Sequence, residues 1–151
     1  MSLRNLSLPF AIMLFGFGLP ARGELVIPSY AFGKVYNFKV TDELVRNSPD
    51  WAEESENPPL SARKAIALAD KLATKTVKVP SKLSKQGLIR EMTSACLVPY
   101  SDIGPRKWYW AVAYQWRPRV GASSGIKPYL HVVILMDGTV VIPEIEKDGG
   151  G

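Results

Sequence analysis

Residues 107–117 read Lys-Trp-Tyr-Trp-Ala-Val-Ala-Tyr-Gln-Trp-Arg, and they admit few folds. Successive side chains of an extended strand point to opposite faces. Trp108, Trp110, Val112, Tyr114 and Trp116 therefore share one side, and Tyr109, Ala111, Ala113, Gln115 and Arg117 the other. One face is bulky and apolar, the other small or polar, which predicts a long half-buried strand. Each large ring removes about 150–250 Å² from water on burial. At about 25 cal/mol per Å² that is roughly 4–6 kcal/mol of gross transfer free energy per ring, as an upper bound. The chain has a single cysteine, Cys96, and so no internal disulfide to hold it together. A small domain in that position can leave few such rings in water. The bulky face is expected to be core. Trp116, last in the strand and beside Arg117, is the expected exception. Cys96, within Ser94-Ala95-Cys96-Leu97-Val98, is expected to be a small buried apolar residue.

A second constraint comes from Tyr129–Met136 and Thr139–Glu146, two apolar, β-branched runs around Asp137-Gly138. Asp-Gly at that position predicts a hairpin with a two-residue type I′ turn, both central residues at positive φ. The turn sets Ile134 opposite Val141 and Val132 opposite Pro143. Both faces of this hairpin are apolar, so both need a cover. A helix supplies one. The N-terminal segment, a loop or another molecule supplies the second.

That helix is the clearest in the chain. Ser61 can cap it, Leu60 can pack on Ala65 across the cap, and Ala62, Ala65, Ile66, Ala69, Leu72 and Ala73 form one stripe at helical spacing. The stripe is mostly alanine, suited to close approach to a sheet. Elsewhere, residues 24–30 read as a lead-in and 32–40 as a strand. Residues 42–57 read as an acidic, solvated loop, and 75–86 as a lysine-rich loop. Residues 88–98 are a strand, 101–105 a turn, and 120–127 a Gly/Ser loop.

Leu6–Leu19 carries no charge, follows Arg4, and precedes Ala21-Arg22-Gly23. This is the three-part pattern of a secretory signal peptide over residues 1–23. It falls short of the roughly 20 apolar residues that span a bilayer, so no stable membrane span is expected after cleavage. A single domain over 24–147 and a flexible tail at 148–151 complete the expected organisation. The chain's net charge is +5, and losing Arg4 and Arg22 lowers it by two. That excess is too mild to argue for nucleic acid.

The order strand, helix, then four strands in antiparallel pairs fits one main helix packed on a curved antiparallel sheet of about four to five strands. The residues that carry it are Pro59-Leu60-Ser61-Ala62-x-x-Ala65-x-x-x-Ala69, Trp108-Tyr109-Trp110-x-Val112-x-Tyr114, and Val132 through Val140. Together they resemble the PepSY-like, cystatin-like domains of exported bacterial proteins, over roughly residues 58–143. The resemblance implies an α+β, cystatin-like fold in a secreted or periplasmic protein, with peptidase modulation or protein binding as its themes. The Gln-x-Val-x-Gly loop of true cystatins does not occur in this chain.

No catalytic constellation stands out. His131 is the single histidine and lies inside a predicted strand. One histidine and one cysteine do not supply a zinc site, and Gly121–Gly125 lacks the lysine of a phosphate loop. No cofactor is expected. The leading reading is an exported, non-enzymatic binding domain with a protein partner, or a second copy met through the hairpin sheet. The alternative is a binder of glycans or anionic polymers. It would use Trp116 with Arg117, Arg119, Lys78, Lys82 and Lys85 as a ring-and-cation surface. A small hydrolase or isomerase with a pocket between helix and sheet, worked by His131, is the third.

Overall fold

The computed structural model describes residues 23–100, 103–119 and 127–147. The leader (but for Gly23), the Gly/Ser loop (but for Lys127), Ser101 and Asp102 of the expected turn, and the tail lie outside the described residues.

Helix α2 (Ala62–Thr76) forms where the pattern predicts it; α1 (Asp42–Arg46) and α3 (Ser81–Ser84) are short. Ser61 is extended, and its Oγ accepts the Lys64 N–H at 3.4 Å, satisfying one free donor of the first turn. Ala65, Ala69, Leu72 and Ala73 are the buried residues of α2. Strands β3 (Leu88–Pro99), β4 (Trp108–Pro118) and β5 (Tyr129–Leu135) form an antiparallel sheet in that order. In the centre, Val112 stands between Ala95 and Val132, and Trp110 between Leu97 and Ile134. The bulky parity of β4 faces α2. The Trp110 indole N–H donates to the Leu60 carbonyl at 2.9 Å, and Tyr114 lies beside Asp70 of the helix. Trp110 and Trp116 are only 6% and 4% exposed, so the expected exception at Trp116 does not occur.

Cys96 departs from expectation, for it is exposed. The cause is a β-bulge between Met92 and Ser94. An extra residue in one strand reverses the parity of everything beyond it. Ala95 and Leu97 thereby turn to the helix, and Cys96 sits opposite Ala111 on the other face.

The fold is α+β, but its strands are divided three and three. β1 (Glu24–Tyr30), β2 (Lys34–Thr41) and β6 (Glu144–Lys147) make a second antiparallel sheet, ordered β1-β2-β6. The lead-in is thus a strand, paired with β2 from Glu24–Thr41 to Tyr30–Val35. The acidic stretch also begins with α1, capped by Thr41. The two sheets meet at β5, against which β1 and β2 pack. The His131 backbone N–H, pointing away from β4, donates to Ser29 Oγ at 2.8 Å. Val132 and Ile134 on one face of β5, and Val133 and Leu135 on the other, are all buried. The chain covers both apolar faces itself.

The Asp137-Gly138 turn also differs from expectation. Gly138 has φ 91°, whereas Asp137 keeps negative φ. The Gly138 N–H donates to Leu135 O at 2.9 Å and the Leu135 N–H to Thr139 O at 2.8 Å. This is a three-residue loop with glycine at the bulge position. Asp137 stays in an ordinary conformation because its carboxylate accepts the Thr139 N–H at 2.8 Å and hydroxyl at 2.9 Å. Ile134 consequently opposes Val140 in place of Val141. The ladder with β5 stops before Pro143, which has no N–H to give, and the chain crosses to β2 as β6.

The alanine stripe sets the distance between α2 and the rings below it, so bulk there should not be tolerated. Ala69→Leu, at a fully buried site, is expected to lower stability by about 1–3 kcal/mol. Ala67→Leu, on the exposed side, is expected to change it by less than about 0.5 kcal/mol. Urea midpoints of the two variants check this.

Candidate functional site

β1 and β2 are joined by a two-residue turn. Ala31 and Lys34 exchange backbone hydrogen bonds of 3.1 and 3.2 Å, and Phe32 and Gly33 lie at φ 52° and 71°. Both positive angles define a type I′ turn, which favours Asn-Gly. A phenylalanine there is an outlier and costs about 1–2 kcal/mol in backbone strain. Its ring offsets that cost by packing edge-on against Trp116, at 5.6 Å between centroids and 77° between planes. Such a pair contributes about 0.5–1.5 kcal/mol beyond its area. Phe32 thereby packs against Trp116 at the end of β4.

This strained tip forms one wall of a groove of about 500 Å³, lined by Tyr30, Phe32 and Lys34 from the hairpin and by Lys127, Pro128 and Tyr129 at the start of β5. Tyr30 remains 41% exposed, with its ring 5.7 Å from that of Tyr129. Tyr129 in turn stands edge-on to His131 at 5.5 Å. Three rings and two ammonium groups converge here.

Among the described residues no strand is paired with the other edge of β1, although β5 packs against it and the His131 ring hydrogen-bonds the Pro28 backbone. Hydrogen-bonded pairs alternate along an antiparallel ladder. With Ala31 bonded to Lys34, the backbone groups of Val26, Pro28 and Tyr30 point away from β2. Pro28 sits at one of these positions, where a missing N–H leaves the ladder intact.

His131 lies behind the groove. Burial pushes its pKa below the ordinary 6.5, and a hydrogen bond with the Pro28 backbone partly opposes this. Its Nδ1 is buried without a partner. No hydroxyl, thiol or carboxylate among the described residues bonds to the ring, and no cluster of three metal-ligating side chains occurs among them.

The residues singled out in the sequence are dispersed. Trp116 is in the core. Arg117 is held by Glu91 through both carboxylate oxygens. Arg119 is exposed near the Gly87 turn, to whose carbonyl its backbone N–H donates at 3.2 Å. Lys78 lines a separate groove beside Arg90, and Lys82 and Lys85 are exposed at α3. Tyr30, Phe32, Lys34 and Tyr129 were not legible as a site. Phe-Gly is not a recognised hairpin signal, and the groove joins residues about a hundred positions apart.

In comparisons with known proteins, no family model, curated protein or solved structure matches this chain. No helix among the described residues is long and apolar enough to cross a membrane.

A histidine kept neutral by folding makes stability depend on pH. Below about 6.5 the unfolded chain binds the proton more readily than the folded one. Stability is therefore expected to fall as pH drops through that value, levelling once the folded form also protonates. His131→Gln should remove this component. Urea unfolding at pH 7.5 and 5.5, wild type against variant, measures the difference.

Proposed function

We propose that the chain is an exported, non-enzymatic binding domain that holds an extended segment of a partner protein along β1 and in the aromatic groove. The observation that carries this reading is Phe32. A bulky residue held at positive φ at a surface turn, its ring packed on Trp116, forms one wall of the groove and leaves Tyr30 exposed beside Tyr129.

Strand addition fits the two exposed positions on either side of Pro28, whose backbone is engaged by His131. A partner backbone can pair with the outward groups of Val26 and Tyr30, and one of its apolar side chains can enter between the tyrosines. Lys34 and Lys127 favour an acidic segment. Three of the seven exposed large apolar side chains among the described residues lie on this one strand. They are Leu25, Val26 and Tyr30. We assign contact to β1 in preference to β5, whose two faces are already covered within the chain.

Export rests on the leader-like residues 1–23. The packing of α2 on β3–β4–β5 supports a cystatin-like relationship and, through the PepSY-like resemblance, modulation of a peptidase or another envelope protein. The β1–β2–β6 sheet is then an addition to that frame.

Panning an extended-peptide library on the native chain tests the reading, with a Tyr30→Ser/Tyr129→Ser variant as the counter-target. Acidic peptides bearing an aromatic or large aliphatic residue should be enriched, and should lose at least about tenfold in affinity on the variant, as for removal of an aromatic anchor. No enrichment, or equal binding to both proteins, contradicts it.

A further inference from the structure

The end of α2 carries a shallow, open depression lined by Asp70, Lys71, Thr74, Lys75, Lys78 and Arg90. Arg90 reaches it from β3 and is fixed from three sides. Its guanidinium donates to Thr74 Oγ1 at 2.9 Å and to Asp70 Oδ1 at 3.1 Å, and lies 5.2 Å over the Tyr114 ring. The Thr74 hydroxyl donates in turn to the Asp70 carbonyl at 2.8 Å. Asp70, the one acid in the lining, is thus already neutralised by Arg90.

The lysines are not. Lys71, Lys75 and Lys78 are exposed and belong to no ion pair among the described residues. Lys71 and Lys75 are one helical turn apart, a spacing at which like charges repel. The negative end of the helix dipole accounts for Lys75 in the last turn. It does not account for the others, nor for the continuation of the row through Lys82 and Lys85. Unpaired cations gathered around a guanidinium that is already held in place make a site that an external anion completes.

We propose that this depression binds a linear polyanion, its oxyanions bridging Lys71, Lys75 and Lys78. Lysine ammonium groups are point charges that take carboxylate or phosphate alike. The shared chemistry is a closely spaced run of oxyanions, as in an acidic polysaccharide or a polyphosphate. The site is distinct from the aromatic groove and does not depend on the reading given to it.

Fluorescein-labelled oligogalacturonate and polyphosphate, each titrated with the full chain at fixed ionic strength, test the proposal. Binding is expected in at least one arm. It should weaken as salt is raised, since the contacts are exposed. The Lys71→Gln/Lys75→Gln/Lys78→Gln variant should bind at least about tenfold more weakly, three exposed charge contacts each worth a factor of a few. A charge-matched control, Arg63→Gln/Lys64→Gln/Lys147→Gln, should bind as wild type does. Binding in one arm alone identifies the source as glycan or phosphate; binding in both shows a site that reads charge density. Binding in neither arm, or equal losses in the two triple variants, overturns it.

Discussion

The structure depends on large rings packed beneath small side chains. Trp110, Val112, Tyr114 and Trp116 present a broad surface on β4, and α2 meets it with Ala65, Ala69 and Ala73. Alanine brings the helix backbone close without losing helix propensity. Leu72 on the same helix and Leu60 just before it add bulk to this core. The indole N–H of Trp110 fixes the start of α2 over the sheet, and its acceptor, the Leu60 carbonyl, would otherwise be buried unpaired at a penalty of about 1–3 kcal/mol. At the other end, Tyr114 faces Asp70 and Arg90; burial first, then Asp70, push its phenol well above the ordinary range.

This packing determines where function can lie. With one face of β4 and both faces of β5 enclosed, the concave features lie at the periphery, at the hairpin tip and the end of α2, while the other face of β3–β4 is open sheet. Trp116 stands between the hairpin tip and the end of α2. Phe32 packs against it from the aromatic groove, and its β3 neighbour is Arg90, which lines the cationic one. The acidic stretch is likewise tied to the frame and is more than a solvated loop. The Lys107 ammonium donates to the carbonyls of Arg46 and Ser48 at 3.0 and 2.6 Å and pairs with Asp50 at 2.6 Å. Trp51 packs edge-on to Trp108 at 5.3 Å.

What was legible in the sequence was local. The helix at 62–76 follows from a cap and a stripe, and β3 and β4 follow from alternation and flanking prolines, because those signals act within a few residues. The bulge at Met92–Ser94 carries no such signature, and it alone decides that Cys96 faces outward. Asp137-Gly138 marks a turn but fits two geometries, and the carboxylate contact with Thr139 selects one of them. The second sheet joins β2 to β6 across most of the chain, a pairing that no window of sequence contains. The aromatic groove shares that origin. Trp116 looked available because it ends a strand beside an arginine, but it lies on the core parity of β4 and a distant phenylalanine packs against it.

Acrylamide quenching of the native chain's tryptophan fluorescence probes that enclosure most directly. If Trp110 and Trp116 are sealed beneath α2 and Phe32, emission is blue-shifted and a large fraction resists quenching until urea unfolds the protein. Emission at the wavelength of free indole, quenched as fully in the native state as in the denatured one, would contradict the account.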